Sequence, residues 1–230
     1  MARQKAIGDS PQEMVTHAQL RRAQDAGARD AGNARVRRIL AAARSLFLNL
    51  GYGETSMDAI ARRAAVSKAT LYSHFDGKDA LFAALIMAEC RHLSDQIGRR
   101  ALDEPDIRDA LLRVAHDFNN LLCTGDGLTM YRIVVAEAPR FPELGRVFYD
   151  SGPTIMINRI AGILRRAAEH GLLTVRDPRI AAVQFISLVR GESHLTSVLG
   201  MKKASKNPAA YIEASVDLFL AGYRAGKTRK

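Results

Sequence analysis

The chain of 230 residues has only two cysteines, Cys90 and Cys123. That is too few for a disulfide framework or a multi-cysteine metal site, and each reads as a small buried hydrophobe. Long apolar runs are also missing. The most apolar stretch, Asp79 to Cys90, carries acids near both ends and falls short of the roughly 20 residues a membrane-spanning helix requires. Met1 to Ser10 lacks the apolar middle of a secretory signal. A cytoplasmic protein with no membrane partner is expected. Convincing strand alternation flanked by hairpin signals is absent. So are GxGxxG, P-loop, GxSxG and HExxH patterns, and His116 and Asp117, adjacent on a helix, do not face one another. No catalytic residue, metal or cofactor is therefore expected, and the protein reads as a non-enzyme.

What the chain does have is apolar content and positive charge. Hydrophobic residues make up 47%, a globular composition. The 34 Lys and Arg against 24 Asp and Glu leave a net charge of +10, which points to polyanions. The excess is uneven. Residues 35–82 hold eight basic side chains (Arg35, Arg37, Arg38, Arg44, Arg62, Arg63, Lys68 and Lys78) against four acidic ones, about twice the net charge that the segment's length predicts. Residues 1–34 show no sustained apolar stripe and read as a flexible N-terminal extension.

From Arg35 the pattern becomes helical. Ile39, Ala43, Leu46, Phe47 and Leu50 share one helix face, and Gly51 and Gly53 stop it. Thr55 and Asp58 form a capping pattern for a second, short helix. After the turn Ala64-Ala65-Val66, Ser67 caps a third helix through His74. A long helix follows from about Lys78 to Leu102, and further helices are expected near 106–123, 127–137, 142–150, 153–170, 177–198 and 208–225. The expected fold is all-α. A three-helix helix-turn-helix head over 35–82 joins a larger helical domain over 83–230. The C-terminus ends in a basic tail, Lys227, Arg229 and Lys230.

Thr55 to Lys78 carries the functional signal. Two short helices joined by a tight turn, behind a longer supporting helix, have the helix-turn-helix layout, whose second helix enters the DNA major groove. Ser67, Lys68, Thr70, Tyr72, Ser73 and His74 supply mixed donors and acceptors. Leu71 and Phe75, four apart, anchor the same helix to its domain.

The runs Ser56-Met57-Asp58-Ala59-Ile60-Ala61, Val66-Ser67-Lys68-Ala69-Thr70-Leu71-Tyr72, His74-Phe75 and Lys78-Asp79-Ala80-Leu81-Phe82 strongly resemble the DNA-binding domain of TetR-type regulators over Arg35 to Leu85. Tyr131 to Pro153 resembles the effector domain of the AefR-like branch. The resemblance implies that Thr55 holds a phosphate, that Ser67, Lys68, Thr70, Tyr72 and His74 meet DNA from the recognition helix, and that Lys78 clamps the backbone. Helix N-termini and lysines are suited to phosphate. The sequence departs from the family pattern at Ala65, where Gly or Asn is usual, and at Ala69, whose methyl suits a thymine methyl. A left-handed Ala65 costs up to about 1–2 kcal/mol.

The resemblance also implies a small-molecule effector and a homodimer. The expected effector pocket is mostly apolar and lined by Phe118, Leu122, Met130, Val134, Ile157, Phe185 and Leu188, with a few polar fixers drawn from His116, Asn119, Asn120, Arg132, Asn158, Gln184, Arg190, Glu192 and His194. The last two helices form the expected dimer surface, through Ile180, Val183, Ile186, Leu195, Val198, Val216, Phe219, Leu220 and Tyr223. Paired heads suit a palindromic operator in double-stranded DNA. The expected function is a ligand-responsive repressor released by a small, largely apolar effector. The competing reading is a helical membrane-surface or protein-docking module. The recognition helix lacks the apolar wedge that membrane-surface binding needs.

Overall fold

The computed structural model describes residues 34–96, 106–201 and 207–224. The proposed extension before residue 34, the expected helix beyond Gln96, the end of the last helix at residue 225 and the basic tail lie outside the described residues. Among the described residues every named element is a helix, as the sequence predicts. They are α1 (Ala34–Glu54), α2 (Met57–Ala64), α3 (Lys68–His74), α4 (Lys78–Gln96), α5 (Ile107–Cys123), α6 (Gly125–Glu137), α7 (Pro142–Ser151), α8 (Pro153–Glu169), α9 (Pro178–Val198) and α10 (Pro208–Tyr223). No described helix is long and apolar enough to cross a membrane.

Local chemistry sets the ends. Asp106 accepts from the amides of Arg108 and Asp109 to start α5, and Asp177 does the same for Arg179 and Ile180 at α9. Asn207 caps α10 on Ala210. Proline opens α7, α8, α9 and α10, where its missing N–H costs nothing. Gly51, at φ 78°, interrupts α1. The start of α2 differs from the sequence expectation. Ser56, not Thr55, is the N-cap and accepts from the Ala59 amide. Thr55 instead turns inward, and its hydroxyl donates to Gly51 O at 2.7 Å.

Two apolar cores form. The first gathers Ile39, Phe47, Ile60, Leu71, Phe75, Leu81 and Phe82 from α1 to α4, and continues into Met130, Val134, Leu144 and Val147 of α6 and α7. The Tyr52 ring stacks on Phe47 and meets Phe82 at a tilt in this core, and it meets Phe141, the residue before α7, edge-on. The second lies among α5, α8, α9 and α10, around Leu111, Ile160, Leu164, Phe185 and Val216. Helix α4 lies in the first core along much of its length, with Phe82 to Ile86 fully buried.

Candidate nucleic-acid interface and ligand cavity

The helix-turn-helix is closed by an unusual turn. Ala65 sits at φ 51°, ψ 50°, the one left-handed non-glycine among the described residues. Its amide donates to Arg62 O, and that of Val66 to Ala61 O, which satisfies the last carbonyls of α2. The conformation therefore forms with an alanine where the family commonly has Gly or Asn.

Helix α3 is seated by Leu71 and by Phe75 just past its end, 0% and 2% exposed. Its other side faces solvent. Ser67 accepts from the Thr70 amide at 3.0 Å, and the two hydroxyls lie 2.8 Å apart. Ser67, Lys68, Ala69, Tyr72 and Ser73 are exposed, while Thr70 and His74 are half-buried. Lys68 Nζ pairs with Asp58 of α2 at 2.6 Å, so reaching a base would require it to leave that carboxylate.

Two residues given phosphate roles by the resemblance are used inside the head. Thr55 is 1% exposed, because Ser56 has taken the capping position. Lys78 Nζ donates to Tyr52 O at 2.9 Å and Gly53 O at 3.3 Å and lies over the Tyr52 ring. Burial lowers its pKa. The Tyr52 hydroxyl donates in turn to Asp79. This knot of Tyr52, Lys78 and Asp79 carries no sequence signature of its own, since its partners are 26 and 27 residues apart.

A cavity of about 380 Å³ lies among α4 to α9, within the roughly 300–1,000 Å³ of small-molecule sites. Phe118, Leu122, Met130 and Ile157 of the sequence-derived set line it, together with Ile86, Cys90, Phe148 and Met156. Val134, Phe185 and Leu188 do not. Val134 belongs to the first core. Phe185 packs its ring on Phe219 at 5.2 Å. Leu188 faces α10, where its carbonyl accepts from Tyr211 Oη at 2.9 Å. The Cys90 thiol is pushed up to about 12 by burial and then by Glu89, so it is a neutral wall group.

The polar members of the wall stand at two places. Glu89 and Asp126 both pair with Arg44 of α1, at 3.0 and 2.7 Å. Elsewhere on the wall, Arg190 donates to Tyr131 Oη at 3.3 Å. The Tyr131 ring meets His194 edge-on, and His194 Nδ1 lies 3.3 Å from Leu122 O. Arg132, expected as a pocket fixer, instead donates to Val198 O and Ser197 O at the end of α9. Just past Arg190, Gly191 breaks α9 at φ 45°, ψ −156°. A Cβ there would meet the Tyr211 hydroxyl at 2.3 Å.

Ile180, Val183 and Leu195 of the expected dimer face are exposed, and Ile186, Val198, Leu220 and Tyr223 are half-buried. Val216 and Phe219 are core residues, 0% and 3% exposed. Leu199, Met201, Tyr211 and Leu218 add exposed apolar area that the sequence reading omitted.

A solvent-facing recognition helix on a three-helix head, joined to a helical body with an apolar cavity, defines a helix-turn-helix regulator. A model of bacterial regulatory proteins of the tetR family matches residues 39–85, and one of the AefR-like transcriptional repressor C-terminal domain matches 109–225. The chain belongs to the TetR family of transcriptional regulators, in its AefR-like branch. It is 46% identical to the HTH-type transcriptional regulator UidR of Escherichia coli over 52 residues, 23% of this chain and 26% of that protein. The chain thus matches about a quarter of that curated relative's length. It is 26% identical to the HTH-type transcriptional regulator YvkB of Bacillus subtilis over 192 residues, 82% of this chain and 97% of that one. Among solved structures, a TetR-family regulator of Mesorhizobium loti superposes with a TM-score of 0.78 at 27% identity, covering 86% of this chain and 98% of the other. The flavonoid-responsive regulator FrrA superposes with a TM-score of 0.70 at 39% identity, covering 85% and 98%.

Proposed function

We propose that the chain is a homodimeric repressor that leaves a palindromic operator when a small, largely apolar molecule fills the cavity. The observation that carries this reading is helix α4. Leu81 and Phe82 lie in the core of the head, while Ile86, Glu89 and Cys90 of the same helix form cavity wall. A ligand that repositions α4 therefore moves the head. Ser67, Lys68, Ala69, Thr70, Tyr72 and His74 contact DNA, and Thr55 and Lys78 hold the frame beneath them. Residues 35–82 act as the DNA-binding domain and 83–230 as the effector and dimer domain, α9 and α10 pairing across a two-fold axis. The two heads dock about 34–36 Å apart, in successive major grooves. The name of FrrA, a relative described as responsive to a small molecule, supports the ligand-responsive part. A cytoplasmic location follows from this role.

The test is fluorescence anisotropy on the promoter fragment beside the gene, across a salt series. The affinity should fall linearly on logarithmic axes, with a slope of about −0.9 per phosphate neutralised. A salt-independent affinity would overturn the DNA reading.

A further inference from the structure

Three charged side chains belong to the cavity wall: Glu89, Asp126 and Arg190. The two carboxylates share Arg44, at 3.0 and 2.7 Å, so both are already paired. Among the described residues Arg190 pairs with a neutral phenol, Tyr131, at 3.3 Å. The guanidinium is the one wall charge that a ligand meets without competing against an opposite charge.

The surroundings favour an anion there. Tyr131 is held by ring contacts to Phe148 and His194, so its hydroxyl is fixed beside Arg190. Burial, and then Arg190 itself, lowers the His194 pKa and keeps that imidazole neutral. The remaining guanidinium N–H groups form a planar fork that matches a carboxylate, and charged hydrogen bonds of this kind are about twice as strong as neutral ones. Phe118, Phe148 and Tyr149 give the same cavity aromatic walls.

We propose that Arg190 and Tyr131 form an anion clamp, and that the cavity takes an aromatic carboxylate whose ring packs among Phe118, Phe148 and Tyr149. This rests on the reading of the cavity as a ligand site, and it adds the class of ligand. The acid end docks on Arg190, away from the Arg44 carboxylate pair, which repels it.

The test is calorimetry on the full-length protein at neutral pH with three probes of one shape: 2-naphthoate, 2-naphthamide and 2-naphthylmethylammonium. The naphthoate should bind at least about tenfold more tightly than the neutral amide, and the ammonium most weakly. Arg190→Gln should erase the preference for naphthoate over the amide, and residual binding of both probes reports an intact cavity. Arg190→Lys should keep a reduced preference. Equal binding of acid and amide, or a preference that survives Arg190→Gln, overturns the clamp. If Arg190→Gln does not fold, the ranking of the three probes on the natural protein decides alone. Operator binding is measured on the same sample. No probe binding with operator binding intact sinks the clamp and leaves the DNA reading standing. Naphthoate selectivity without operator binding keeps the clamp and sinks the regulator.

Discussion

Ala65 sets a test at the scale of one residue. An L side chain in the left-handed region costs about 1–2 kcal/mol, and glycine removes that cost while adding some chain entropy. Ala65→Gly should therefore stabilise the protein by about 1 kcal/mol in urea unfolding. Lower stability would mean that this turn is not left-handed in solution. His194 sets a second test. Burial, then Arg190, lowers its pKa below the usual 6.5, so the unfolded chain binds more protons in that window. Its contribution to stability is present above about pH 6.5 and is lost as the pH falls through the folded value. His194→Gln should flatten this part of the stability profile, and an unchanged slope would remove His194 as its source. Single residues were also where the sequence was least legible. Thr55 and Ser56 are both good caps, and the bond from the Thr55 hydroxyl back to Gly51 O, made possible by the kink of α1 at Gly51, decides between them.

At the scale of the helix, α3 and its support divide recognition from affinity. Thr70 and Lys68 stand at the start of α3 toward solvent, whereas Lys78 is bound to the end of α1. Thr70→Ala or Lys68→Ala should cost roughly 1–3 kcal/mol on the operator and relax its sequence preference, if each reads a base. Lys78→Ala should weaken every sequence alike, by loosening the head. A specificity change confined to Lys78→Ala in competition binding would reverse these roles. The recognition helix was legible because a tight turn, a cap and an apolar pair fall at fixed spacing. The cavity was only partly so. Helix α9 is apolar on several sides, so periodicity could not separate Phe185, packed on Phe219, from Ile186 on the cavity wall. Nor could it place Leu188 on the α10 side.

At the scale of the molecule, Arg44 is a direct electrostatic link between head and cavity, through Glu89 and Asp126. These pairs are partly exposed, and such pairs contribute at most about 1 kcal/mol. Arg44→Gln should therefore leave operator binding largely intact while reducing the ligand effect by up to roughly fivefold. By reciprocity, the operator must weaken ligand binding by the same factor that the ligand weakens operator binding. Titrating 2-naphthoate with and without operator, in both proteins, measures each side of that equality. Identical ligand affinities in all four titrations would rule out coupling between the sites.

The first core has a consequence for anyone who would rewire this protein as a biosensor. Its apolar contacts do not stop where the motif stops; they close over Met130, Val134, Leu144 and Val147. A chimera cut at residue 82 would lay a foreign reading head on a surface shaped for this one. Grafts that keep the sensing half should therefore replace these four side chains with the ones that pack against the new head in its own protein.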